Sequence, residues 1–277
     1  MKDKDDIIHN EELRNKKSVI MSVFKAYKIL ELFGEKNSLN FAEISERLDL
    51  PSATLYRFLS TLIVCGLLDM DPKSKLYSLG PSMIYLGNAA ISSIDIVALA
   101  RPFMEKLKDE TNETISLFIR KGFKKICIAK VESDLSIRYS AKIGETNYLH
   151  GGASGNILMA GMTKKELDML ESSAGFPKLT EYTVTDRKKI EEILDKTRKD
   201  GYWVSYKERR DDTAGIGVPI FNHLGQVVAS LNITLPSSRF DEVTVEKWIP
   251  LLKKAGVDIS RKNGYYENFA QEPGQRR

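Results

Sequence analysis

Cysteine is nearly absent from this chain of 277 residues, with only Cys65 and Cys127 present. Two thiols are too few for a disulfide framework or a cysteine-built zinc site, and they suit a reducing, cytoplasmic setting. Histidine is as scarce: His9, His150 and His223 do not stand at metal-ligand spacing, so no metal is expected. No apolar run approaches the roughly 20 residues that a bilayer crossing needs. The opening MKDKDD is charged with no apolar stretch behind it, so neither a secretory leader nor a membrane partner is expected. An excess of one charge is also lacking: a net +4 permits a polyanionic partner without requiring one. Hydrophobic residues at 42%, with 18 Gly and 9 Pro, exclude disordered, collagen-like and low-complexity classes, and the length suits about two domains.

Residues 1–17 are polar, without apolar periodicity, and read as a flexible arm. Val23, Ala26, Leu30 and Phe33 recur at helical spacing, and Gly34 is expected to end that first helix. Asn40 and Glu43 have the spacing of a capping box, ahead of a second helix carrying Phe41, Ile44 and Leu48. After the turn Asp49-Leu50-Pro51, Ser52 is expected to cap a third helix with Leu55, Phe58, Leu59 and Leu62 on one face and Gly66 at its end. Residues 67–70 and 75–79 read as short strands around the turn Asp71-Pro72-Lys73-Ser74. Helix, helix, turn, helix and hairpin make a winged helix-turn-helix over 18–80.

The outward face of the third helix carries Ala53, Tyr56, Arg57 and Ser60, flanked by Thr54 and Thr61. Acidic residues crowd the first two helices and the strand before the wing turn. Arg57, Lys73 and Lys75 instead occupy the third helix and the wing tip, where the phosphates of a DNA duplex would lie. Ser52, Thr54, Tyr56, Arg57, Ser60, Thr61, Lys73 and Lys75 are therefore the DNA-binding candidates. The alternative is that three small helices and a hairpin bind protein instead.

Gly80-Pro81 leads into a linker helix over 81–94 whose Met83, Ile84, Leu86, Ala90 and Ile91 are apolar, a surface that points to a second copy of the chain and a homodimer. Asp95 is placed to cap the next helix, through Ile96, Leu99, Phe103 and Leu107, and Pro102 is expected to kink or divide it. Residues 115–119 and 125–131 read as a hairpin turning at Gly122, with a further strand near 137–140. A glycine-rich stretch from His150 to Gly155 enters an apolar segment, Thr163 and Glu166 suit a second capping box, and 186–199 reads as a helix closed by Gly201. Strands follow at 202–206, 215–220 and 226–235, then a helix over 243–262 and a polar tail at 263–277. Short turns between successive strands imply an antiparallel sheet with helices packed on it, a sensor-like α+β domain over 95–262.

Asn232 and Thr234 sit two apart and so share one face of an otherwise apolar strand. That face is either solvated or lines a pocket, since buried polar groups need partners. Ala153-Ser154-Gly155, entering a helix, either offers backbone N–H groups to an anion or is a plain tight turn. Ser154 is not flanked as in G-x-S-x-G, and Gly215-Ile216-Gly217 lies inside a strand with no helix behind it, so neither a catalytic nucleophile nor a nucleotide cofactor is expected. Cys127, between Ile126 and Ile128, reads as core.

From about Ser22 to about Lys262 the chain resembles the IclR family of bacterial transcriptional regulators. SVFKAYKILELF resembles the family's first helix and PSATLYRFLSTL its recognition helix, and YSLG followed by LGNAA matches the end of the wing and the linker. IDIVALARPFMEKL, NETISLFI, LHGGASGNIL, DGYWVSYKE and GVPIFNHLGQVVASLNITLP match its effector domain in order and spacing. The resemblance implies a winged helix-turn-helix joined to a GAF-like effector domain, working as a dimer or tetramer. It also implies an effector site at Ala153, Ser154, Gly155, Ser205, Gly215, Asn232 and Thr234. This chain departs from the family's pattern in having Ser52-Ala53 in place of Lys-Ser, Gly155-Asn156 in place of Gly-Lys, and Ser205 and Gly215 where acid-binding members place Asp and Cys.

The implied function is a ligand-responsive transcriptional regulator, without cofactor or catalysis, that binds a pseudo-palindromic operator as a dimer or dimer pair. The alternative is an enzyme, a methyltransferase with a winged-helix dimerisation domain, which needs a glycine-rich loop in a parallel α/β array.

Overall fold

A computed structural model describes residues 19–266. The arm at 1–17 and most of the tail expected at 263–277 lie outside the described residues. The chain divides into two compact units between Ser93 and Ile94.

The first unit holds α1 (Met21–Glu35), α2 (Phe41–Arg47), α3 (Ser52–Val64), the hairpin β1 (Leu68–Met70) and β2 (Tyr77–Leu79), and α4 (Pro81–Ser92). Ile29, Phe33, Leu39, Ile44, Leu55, Leu59, Leu62 and Leu68 form its core. Each projects from the apolar face of its element, so three short helices that could not stand alone share one interior. Leu39 and Tyr77 exchange backbone hydrogen bonds of 3.1 and 2.8 Å, which tie the loop before α2 to the wing strand. Asn40 and Glu43 complete the capping box reciprocally. Two expected boundaries move. Gly34 lies inside α1, which ends at Glu35 because Lys36 leaves in an extended conformation and no left-handed residue is required. Ser52 is the first residue of α3 rather than its cap; Pro51 takes that place, and its carbonyl accepts from Thr54 and Leu55.

The second unit is built on a six-stranded sheet. Its elements are α5 (Ile96–Thr111), β3 (Thr114–Lys121), β4 (Lys124–Val131), β5 (Thr146–Tyr148), α6 (Ala153–Ala160), α7 (Lys164–Ser173), α8 (Arg187–Asp200), β6 (Trp203–Tyr206), β7 (Thr213–Phe221), β8 (Val227–Pro236) and α9 (Glu242–Lys262). The strand order is β5-β4-β3-β8-β7-β6, and among the described residues every pairing in it is antiparallel. This is not the parallel array that a methyltransferase reading needs. Ile115, Leu117, Leu231, Ile233 and Ile216 cluster with Met104 and Leu107 of α5 and Leu252 and Ile259 of α9. Residues one position along each strand face the other way, beneath α6, where Ser116, Ser230 and Asn232 are buried.

Asp95 caps α5 through the amides of Val97 and Ala98, and the helix runs through Pro102 undivided. The strand expected at 137–140 is absent. Its carbonyls are taken by side chains instead, Thr114 Oγ1 donating to Tyr139 and Arg239 to Ile137. The strand that extends the hairpin is β5, paired to β4 with Lys125 opposite Asn147.

Candidate functional site

In the first unit, Leu55, Leu59 and Leu62 turn one face of α3 into the core and leave the other outward. Tyr56 is 63% exposed, Ser52, Arg57 and Thr61 are exposed, and Thr54 and Ser60 are half-buried. Thr61 donates its hydroxyl to the Arg57 carbonyl at 2.8 Å, bracing the turn that carries the guanidinium. Lys73 and Lys75 lie exposed in the wing turn. The Asp71 carboxylate holds that turn by accepting from the amides of Ser74 and Lys73, which keep it below the usual carboxylate range. Lys75 adopts a left-handed φ of 59°.

In the second unit, the face carrying Asn232 is closed rather than solvated. Asn232 is 2% exposed, and its amide donates to the carbonyl of Ser230 at 2.9 Å. It borders a small cavity of about 40 Å³ between the sheet and the start of α6. Six of the seven effector candidates line it: Ala153 and Ser154 from α6, Ser205 from β6, Gly215 from β7, and Asn232 and Thr234 from β8. β6, β7 and β8 are neighbours in register here, with Gly215 opposite both Ser205 and Thr234.

Gly155 is the exception, and its part is steric. A Cβ there would fall 1.6 Å from the carbonyl oxygen of Leu149, so only glycine lets α6 start against the loop that precedes it. Gly152, in front of the helix, has a φ of 80°, which turns the chain into α6. The amides of Gly155 and Asn156 both donate to the carbonyl of Gly152, which closes the first turn.

Sequence reasoning missed the charged part of the wall. Lys125 of β4 lines the cavity at only 1% exposure, bonded to the carbonyl of Gly151 and, at 2.9 Å, to Ser154 Oγ. Burial, with Arg209 close by, lowers its ammonium to about 7, a drop that nearby Glu208 partly opposes. Arg209 also lines the cavity and donates to Asn147 Oδ1 at 3.1 Å and to the Tyr139 hydroxyl at 2.6 Å. Glu208 stands behind the wall, accepting from Trp203 Nε1 and Asn156 Nδ2, and burial pushes its carboxyl above the usual range. The only sequence signal for Lys125 is its place two residues before the buried Cys127, in the same phase of β4. A lysine at the start of a strand otherwise reads as solvated.

The remaining candidates are packing residues. Burial pushes the Cys127 thiol up to about 11, which leaves it unreactive. His150 donates from Nε2 to the Pro177 carbonyl, and burial lowers its pKa. Among the described residues no three His, Cys, Asp or Glu side chains cluster to hold a metal, and no single helix is long and apolar enough to cross a membrane.

Comparison with known proteins agrees with this two-part layout. The profile described as "IclR helix-turn-helix domain" matches residues 22–72, and "Bacterial transcriptional regulator IclR C-terminal" matches 88–261. The chain is 30% identical over 258 residues to the HTH-type transcriptional regulator KdgR of Escherichia coli strain K12, spanning 93% of this chain and 98% of that protein. To KipR of Bacillus subtilis strain 168 it is 32% identical over 244 residues, spanning 88% and 97%. The crystal structure of the Agobacterium tumefaciens repressor BlcR superposes with a TM-score of 0.75 at 26% identity, spanning 90% and 99% of the two chains.

Proposed function

Because this chain belongs to the IclR family of bacterial transcriptional regulators, we propose that its grip on a pseudo-palindromic operator is modulated by a small molecule held between α6 and the sheet. The observation that carries this reading is convergence. Six residues singled out as effector contacts, drawn from four separated segments, meet at one cavity. In this reading 18–80 is the DNA-binding domain, 81–94 the linker and 95–262 the effector domain. The protein regulates rather than catalyses.

Arg57 and Tyr56 read bases or clamp phosphates from α3, while Lys73 and Lys75 contact the backbone from the wing. One such module makes few contacts, so tight and specific binding needs two or more copies. The apolar residues exposed on α4, Ile84, Tyr85, Leu86 and Ile91, support pairing with a second copy.

Selection of duplexes from a random pool by the full-length protein tests the DNA arm. The expected result is enrichment of an inverted repeat, bound with a steep salt dependence of roughly 0.9 log unit per phosphate contact. Recovery of no shared sequence, or binding that ignores salt, would overturn the reading.

A further inference from the structure

We propose that Lys125 is a modification site whose amine takes up carbon dioxide as a carbamate, an inference about the cavity wall that goes beyond the effector reading. Lys125 is buried, and its Nζ donates only to neutral oxygens, the carbonyl of Gly151 and, at 2.9 Å, Ser154 Oγ. The other cation of the wall, Arg209, is likewise held by neutral oxygens, those of Asn147 and Tyr139. Two neighbouring cations without a paired carboxylate are costly where water is excluded, and loss of a proton from the lysine relieves that cost. A buried lysine that sheds its proton is a nucleophile, whereas a solvated one is a hydrated ammonium.

The surroundings admit the electrophile and suit the product. The cavity of about 40 Å³ exceeds the roughly 30 Å³ that one water occupies in the liquid, so a molecule as small as carbon dioxide fits beside the amine. Two glycines leave the space at Nζ itself: a Cβ on Gly155 would lie 3.3 Å from it, and one on Gly152 4.0 Å. In the step the nitrogen lone pair forms an N–C bond, one C–O π pair moves onto oxygen, and an N–H proton leaves to the buffer. Nothing is oxidised or reduced. An anion then stands where an ammonium would, giving Arg209 the counter-charge it lacks and facing the positive end of α6. Ser205, Asn232 and Thr234 on the same wall carry hydroxyl and amide donors for its oxygens.

The charged and titratable groups facing Lys125 are Arg209 and Glu208, from the segment joining β6 to β7, and His150 in the loop before α6. Burial and Arg209 bring the ammonium from 10.5 to about 7, with Glu208 in partial opposition. Free amine at neutral pH is therefore about a thousandfold more abundant here than at an ordinary lysine. Lys124, one residue back in β4 and exposed, is the internal comparison.

The test exposes the full-length protein to isotope-labelled carbon dioxide at fixed pressure and follows the label by carbon NMR. An oxonium alkylating reagent then fixes any carbamate for mapping by peptide mass spectrometry. The expected result is a protein-bound carbamate resonance that grows from about pH 6 to about pH 8 and is lost in Lys125→Met, with the label mapped to Lys125 and not to Lys124. If the variant does not fold, the mapped position in the wild type still decides. Absence of such a resonance in the wild type, its persistence in a folded variant, or equal label at Lys124 and Lys125 would each overturn the proposal.

Discussion

Lys125 Nζ stands 2.9 Å from Ser154 Oγ, a contact that pins the inward edge of β4 to the first turn of α6 across the floor of the cavity. Two distant segments thereby share one buried cation.

That cation makes stability depend on pH. In the unfolded chain the lysine titrates at its ordinary 10.5, and in the folded protein at about 7. Between those values the unfolded state binds more protons, so the folding free energy contributed by this group rises with pH across that window and is flat below it. Lys125→Met removes the slope. Thermal unfolding from pH 6 to 10 should show the wild type gaining on the variant as pH rises, and parallel curves would contradict the assignment.

Gly155→Ala places a methyl group 1.6 Å from the carbonyl oxygen of Leu149. The contact is to backbone, so no flexible side chain can yield, and α6 must shift off the loop. A destabilisation of about 1–3 kcal/mol or more is expected. Denaturant titration checks it, and an unchanged midpoint would show that the helix start is not held as described.

Arg57→Ala should weaken operator binding by about 1–3 kcal/mol if the guanidinium makes a bidentate base contact, while ligand titrations stay unchanged. Fluorescence anisotropy with the selected operator measures the first quantity and calorimetry the second. Equal DNA affinity in wild type and variant would remove Arg57 from the interface.

Lys73→Gln and Lys75→Asn should each lower the salt slope of DNA binding by about 0.9, with little change in sequence preference. Asparagine is chosen at 75 because it tolerates the left-handed φ of 59° found there. A slope that stays constant in both variants would place the wing away from the phosphates.

Asn232→Leu combined with Thr234→Val keeps rough volume while removing polar groups from the cavity wall. Ligand affinity should fall by a few kcal/mol, since each lost or unpaired hydrogen bond costs on the order of 1–3 kcal/mol. Operator binding without ligand should be retained. In the wild type, operator should shift ligand affinity by the factor by which ligand shifts operator affinity, because coupling is reciprocal. Ligand binding at wild-type strength in the double variant would exclude this wall.

The elements set by local rules were legible in the sequence. The capping boxes at Asn40 and Thr163 were readable because a cap and its partner lie three residues apart. That Asn232 and Thr234 share a face follows from strand alternation alone, although whether that face was wet or dry did not. Tertiary structure decided that, by laying α6 over β7 and β8. It also decided the strand misplaced at 137–140: Thr114 and Arg239, far off in sequence, hold carbonyls of that segment with side chains, and β5 takes the ladder instead. Lys125 is the sharpest case. Nothing within a few residues distinguishes it from a solvated lysine. Its burial depends on the pairing with β5 and on Gly151 and Ser154, about 26 and 29 residues on, closing over its ammonium. Helix caps and strand faces follow from neighbours along the chain, whereas the desolvation of a charge depends on every segment that excludes water from it.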